Sequence, residues 1–134
     1  LIALHNKKER NSKLLQLAVF AWTVLIAVLA WAPRMNSFID PASRHGLNHG
    51  PLAHMAAYSF LAIILCEILR RRQFPRPTII SFMISGSYGA LVEFGQYLLP
   101  WRSFDPKDIL MNFAAAATGA LFYHFILMRL RPAT

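Results

Sequence analysis

Nineteen consecutive residues, Leu14–Ala32, carry no charged side chain. A helix of about 20 apolar residues is the length that crosses a bilayer. The run therefore leaves two choices: an unusually large core around it, or lipid. Only 15% of the 134 residues are charged and 56% are hydrophobic, whereas a soluble domain carries about 25% charged residues. A chain this small has too little interior to hide so much apolar surface. The expected solvent is a membrane.

Lys7, Lys8, Arg10 and Lys13 precede the run, and a basic start before an apolar stretch also describes a signal peptide. Such peptides have an apolar region of about 7–15 residues and then a small-residue cleavage site. This run is longer, and Trp31 stands where the small residue belongs. A retained helix is expected, with Trp31 at the interface. The chain opens on Leu1 rather than Met, so the natural N-terminus is left open.

Three further spans follow. Pro33, Asn36, Asp40-Pro41, Gly46, Asn48 and Gly50 mark Pro33–Gly50 as a loop, and Pro51 suits the first turn of a helix. The second span carries His54 and Tyr58 near its start and Glu67 near its end, before Arg70-Arg71-Arg72 and Pro75-Arg76-Pro77. Gly86, Gly89, Ala90 and Gly95 let a neighbour approach the third span closely, and Pro100 ends it. The fourth opens on Asp105-Pro106. The predicted spans are about 14–32, 51–69, 78–99 and 107–128. Their short connections predict an all-α, integral membrane four-helix bundle in up-down order, one domain over residues 1–134.

Charge sets the orientation. Lys7, Lys8, Arg10, Lys13, Arg70, Arg71, Arg72, Arg76, Arg129 and Arg131 fall on one side; Arg34, Arg44, Arg102 and Lys107 fall on the other. The positive-inside rule then predicts both termini in the cytoplasm. The net charge of +8 does not read as a nucleic-acid footprint, because the basic residues cluster at span ends rather than along a polar helix.

Into this apolar frame the stretch from Glu93 to Asn112 sets Gln96, Arg102, Asp105, Asp108 and Asn112. A carboxylate inside an apolar segment must be paired, protonated or facing water. His54, Glu93, Gln96, Asp105, Asp108 and Asn112 all fall within roughly 10 Å of the outer interface at 1.5 Å per helical residue. His54 and Tyr58 share one helix face, as do Glu93 and Gln96. Asp105, Asp108, Asn112, Ala115 and Gly119 form a heptad seam, polar outward and small deeper. The pattern predicts a polar cup above a tightly packed bundle.

Plainer roles stand beside that one. Asp105 before Pro106 is a helix N-cap signal with Asp108 at N3. Arg102 can pair with either aspartate at the surface, and Asn112 and Gln96 can bond across helices. Glu67 reads as the partner of Arg70 or Arg71 at helical spacing. His124 and Cys66 read as packing residues without partners. Asp40, His45, His49 and His54 match no defined zinc spacing, and no metal or cofactor is expected.

The block Gly89-x-x-x-Glu93-x-x-Gln96-x-x-x-Pro100-x-Arg102-x-x-Asp105-x-x-Asp108-x-x-x-Asn112, with Gly119 behind it and His54-x-x-x-Tyr58 before it, resembles the VanZ-like family over about residues 49–123. Family members often carry Asp-Lys shortly before the histidine; here Gly50 and Pro51 stand there. The family is named for a membrane protein giving low-level resistance to teicoplanin, a glycopeptide that binds cell-wall precursors. The resemblance implies a multi-pass protein of the bacterial inner membrane and names no reaction.

Three functional classes remain open. In the first, the cup binds a lipid-linked envelope precursor or glycopeptide, with Glu93 central, Tyr58, Gln96 and Asn112 orienting the ligand, and Arg102 holding an anionic group. In the second, Glu93 and His54 act as general acid and base on such a precursor, with Asp105 and Asp108 tuning them. The third makes the chain a structural accessory subunit. Membrane lipids are the expected partners in each, and no protein partner can be read.

Overall fold

The computed structural model describes residues 2–32, 50–102, 104–127 and 129–130. Apart from Gly50, the expected loop with Arg34, Asp40, Arg44, His45 and His49 lies outside the described residues, as do Ser103, Met128 and Arg131.

Four helices make the fold: α1 (Ile2–Trp31), α2 (Gly50–Arg71), α3 (Pro77–Tyr97) and α4 (Pro106–Phe122), the last running into a π-helical turn, Tyr123–Leu127. Each contains a segment long and apolar enough to cross a membrane: Glu9–Trp31, Leu52–Arg71, Pro77–Tyr97 and Pro106–Ile126. No strand occurs among the described residues. The all-α bundle is as expected, with adjusted ends. α1 is already helical through the basic residues ahead of Leu14, where lysines and arginines are good helix formers. α3 stops at Tyr97 rather than Leu99, in a turn where the Leu98 and Leu99 amides bond to the Gly95 and Gln96 carbonyls ahead of Pro100.

The connection from α2 to α3 is tightly specified. Gln73 takes a left-handed φ of 57°. Its amide bonds to the Arg70 carbonyl, and that of Phe74 to the Leu69 carbonyl. Those are the two bonds of a Schellman motif, here closed by glutamine rather than glycine. Arg76, also left-handed at φ 53°, precedes Pro77 at the start of α3.

The bundle inverts the soluble arrangement. Glu93, Asn112, Ser81 and Ser85 are buried, whereas Leu17, Phe20, Leu52, Leu91, Phe94 and Leu110 are exposed. That distribution suits lipid outside and polar pairing inside. The centre is α2 against α3 and α4, with Tyr58, Leu61, Val92 and Ala115 in one buried cluster and Ala62, Cys66, Ala116, Ala120 and Tyr123 in another. Small residues permit the approach: a Cβ on Gly119 would overlap the backbone of Ser59 on α2. The Ser59 hydroxyl donates to the Ala115 carbonyl at 2.8 Å, and Ser85 donates to the Tyr58 carbonyl at 3.0 Å. Cys66 does have a partner, contrary to expectation: its sulfur lies 2.7 Å from the Ser81 hydroxyl, a neighbour supplied by α3 that spacing along α2 cannot show.

α1 joins differently. Most of its large apolar residues from Leu14 on stay exposed, and of those described only Ile26 is buried. Its links are donors aimed at carbonyls: Trp22 to Ala57 at 3.0 Å, Tyr88 to Thr23 at 2.5 Å, and Trp31 to Val92 at 3.2 Å. Lipid is as apolar as leucine, so such bonds and close packing must hold the helix.

Candidate functional site

The end of α1, the start of α2, the end of α3 and the start of α4 meet at one end of the bundle. The turn between α3 and α4 closes onto it. Asp105 is extended (φ −124°, ψ 114°), and its Oδ1 accepts the Lys107 amide at 2.9 Å, an N-cap for α4. Its own amide donates to Glu93 Oε1 at 3.2 Å. Glu93, only 1% exposed, thus fixes the backbone residue that caps the next helix.

His54 and Asn112 form a second contact between helices. Nδ1 of His54 lies 2.5 Å from Asn112 Oδ1. An amide oxygen only accepts, so Nδ1 is the donor of this contact, and in the neutral ring Nε2 is then the acceptor. Nε2 is 4.0 Å from Asp108 Oδ2, beyond hydrogen-bond reach. The ring stacks on Tyr58, centroids 6.0 Å apart and planes 27° from parallel. Asn112 is fully buried, its Nδ2 is without a hydrogen-bond partner among the described residues, and a Cβ on Gly89 would lie 2.9 Å from that nitrogen. The glycine makes room for the amide.

Arg102 and Gln96 serve α1. The last four carbonyls of a helix have no partner within it. Here the Arg102 Nη2 donates to Leu29 and Ala32 carbonyls at 3.0 and 2.8 Å, Gln96 to Ala30 at 3.1 Å, and Trp101 to Trp31 at 3.0 Å. A cation at a helix C-terminus also complements its dipole. Side chains of the site region therefore cap α1 from outside it.

Between α1, α2 and the α3–α4 turn lies a cavity of about 590 Å³. Trp22, Leu25, Ile26 and Leu29 form an apolar wall; His54, Tyr58, Gln96, Arg102, Asp105 and Asp108 supply the polar lining. Six of the eight residues singled out from sequence line it. Glu93 and Asn112 stand behind the lining and act through Asp105 and His54. The α1 wall escaped the sequence reading because that helix is apolar on every side. A usable signal was Trp22: an indole N–H deep in a span needs a partner, which marks its face as inward.

A model of the VanZ/LLP1 family matches residues 2–128. The chain belongs to the VanZ-like family. No curated protein and no solved structure matches it. The family match reaches well beyond the motif block at residues 49–123, back to the start of α1, so the helix forming one wall of the cavity is part of the VanZ-like unit. Among the described residues no three histidine, cysteine, aspartate or glutamate side chains cluster as a metal site.

The opposite end of this VanZ-like bundle holds another buried glutamate. Glu67 accepts from Arg71 Nε at 2.6 Å and from Arg70 Nε and Nη2 at 3.2 Å. The Tyr123 hydroxyl donates to Glu67 and itself accepts from Arg70 Nε at 2.9 Å. The pairing with both arginines is as expected; Tyr123 was not singled out.

Proposed function

We propose that this VanZ-like chain is a multi-pass protein of the bacterial cytoplasmic membrane that binds an envelope amphiphile in the cavity beside α1. The observation carrying this reading is the division of that cavity into an apolar wall and a polar lining. A tail would lie along Trp22, Leu25 and Leu29, and a headgroup among His54, Gln96, Arg102, Asp105 and Asp108. In this reading Arg102 faces the anionic part of the headgroup, and Tyr58 and Gln96 orient it. Glu93 and Asn112 position Asp105 and His54. The excess of basic residues at the other end supports an outward-facing site with both termini in the cytoplasm. The ligand class is a lipid-linked envelope precursor or a glycopeptide, and a contribution to teicoplanin-type resistance is the expected phenotype.

The test uses the tryptophans at the cavity. Purified chain in nanodiscs is titrated with envelope lipid extracts while Trp22 and Trp101 fluorescence is followed. Cells lacking the native gene are scored for teicoplanin susceptibility with wild type, Ala53→Phe and empty vector. Saturable fluorescence change and reduced susceptibility, both lost on filling the cavity in folded Ala53→Phe, are expected. A response that persists in Ala53→Phe sinks the cavity reading.

A second reading makes the site catalytic, with His54 and Glu93 as general base and acid. It is favoured by the Asn112 contact, which orients the imidazole and leaves Nε2 beside Asp108. New products after incubating purified protein with the same extracts support it; unchanged extracts leave binding alone.

A further inference from the structure

Resting on the cavity reading, the geometry points to the class of headgroup. We infer that the ligand is a lipid whose headgroup carries a protonated amine with free N–H bonds, held between Asp108 and His54 Nε2.

Most side-chain donors at the cavity are already committed. Trp22 and Trp101 donate their only N–H to carbonyls of Ala57 and Trp31. Gln96 directs its amide nitrogen to Ala30, leaving the side-chain oxygen as an acceptor. Arg102 directs Nη2 to two carbonyls of α1. The acceptors are less engaged. Asp105 takes one amide proton on Oδ1. Asp108, 39% exposed at its side chain, has His54 Nε2 at 4.0 Å as its ion-pair neighbour, with Glu93 and Tyr58 within longer electrostatic range.

Two acceptors held 4.0 Å apart but unbonded leave a gap of definite size. A single donor about 2.9 Å from each fits between them, provided it brings two N–H bonds that diverge by roughly a right angle. An ammonium group, tetrahedral at nitrogen, comes close to this and brings a positive charge directly to Asp108, and charge-assisted bonds are the stronger kind. A phosphate placed there would face lone pairs on both sides. It is better accommodated toward Arg102, which also lines the cavity. The adjacent Trp22, Leu25 and Leu29 wall argues for an amine with a tail rather than a free one.

The experiment compares lipids that share tails and phosphate. Wild-type chain in detergent is titrated with dodecanoyl-chain phosphatidylethanolamine, phosphatidylcholine and phosphatidylglycerol, read by cavity tryptophan fluorescence and by adducts in native mass spectrometry. Phosphatidylcholine carries a fixed positive charge without N–H, and phosphatidylglycerol no positive charge. Phosphatidylethanolamine is expected to bind about tenfold more tightly than either, the scale of a hydrogen bond to a charged group. That preference should disappear in Asp108→Asn and survive in Asp108→Glu, with melting temperatures showing that both variants fold. Equal binding of the three lipids overturns the amine while leaving the cavity reading in place. So does a preference retained in Asp108→Asn, whereas tail-less ethanolamine binding as tightly as the lipid overturns the lipid tail, and with it the apolar-wall reading, and leaves only an amine site. If folded protein binds none of them, both readings fail.

Discussion

Two buried glutamates sit at opposite ends of the bundle and live under different terms. Glu67 is surrounded by donors: two arginines and the Tyr123 hydroxyl converge on its two oxygens. Glu93 is more deeply buried, yet it receives one backbone amide among the described residues, and that amide belongs to the residue capping α4. A saturated carboxylate is what a structural tie requires. A carboxylate bonded on one side, next to a cavity lined by further acids, is what the proposed site would use. Burial alone does not separate the two; the count of donors does.

The contrast can be broken most forcefully at Glu67. Glu67→Ala leaves two arginines and a tyrosine converging on nothing, and should cost about 2 kcal/mol, below the full value of a buried pair because both arginines are over a third exposed. Unfolding in mixed micelles measures it, and ligand binding at the far end should be unchanged in the protein that remains folded. A loss of binding without loss of stability would reverse the assignment of roles.

Gly119→Ala comes next, at about 1–2 kcal/mol, since the added methyl must push α4 from the Ser59 backbone. Gly119 lies along the bundle between the two ends, so this variant should lower stability and leave lipid preference intact. Asp105→Ala removes a cap worth about 1 kcal/mol, and should also weaken binding because Asp105 lines the cavity; Asp105→Asn, which can still cap, should restore stability alone. The smallest stability effect is expected at the most buried acid. Glu93→Gln keeps an oxygen to accept the Asp105 amide and should lose less than about 1 kcal/mol of stability, the centre of the range for point substitutions. If it nevertheless abolishes the phenotype in cells, the charge at Glu93 is functional. If it unfolds, Glu93 joins Glu67 as a tie.

What could be read in advance follows from the kind of information a linear pattern contains. Apolar run length announced four helices, Asp105-Pro106 announced a cap, and Glu67 with Arg70 and Arg71 announced a local pair at three- and four-residue spacing. Each is a relation within one helix. Relations between helices were legible only as shared depth. The shared depth of His54, Glu93 and Asn112 was visible, whereas the bond of Arg102 to Leu29 and Ala32, 73 and 70 residues away, was not. Backbone carbonyls carry no letter in a sequence, so a side chain that answers them looks as if it were waiting for an aspartate. Tyr123 was missed for a related reason: its partner is 56 residues away on another helix.

That way of holding α1 divides the tolerance for substitution unevenly. Gln96, Trp101 and Arg102 recognise the carbonyls of residues 29–32 rather than their side chains. Any residue that keeps those four carbonyls in place satisfies them equally, whereas each of the three donors has a shape and reach that few replacements reproduce. A saturation scan should therefore find the end of α1 permissive as far as this junction is concerned and the three donors restrictive. Among the wall residues, Leu29 would then be free to vary the surface it offers a lipid tail, whereas Trp22 on the wall and Trp31 beside it anchor α1 through their own indole N–H groups and would not.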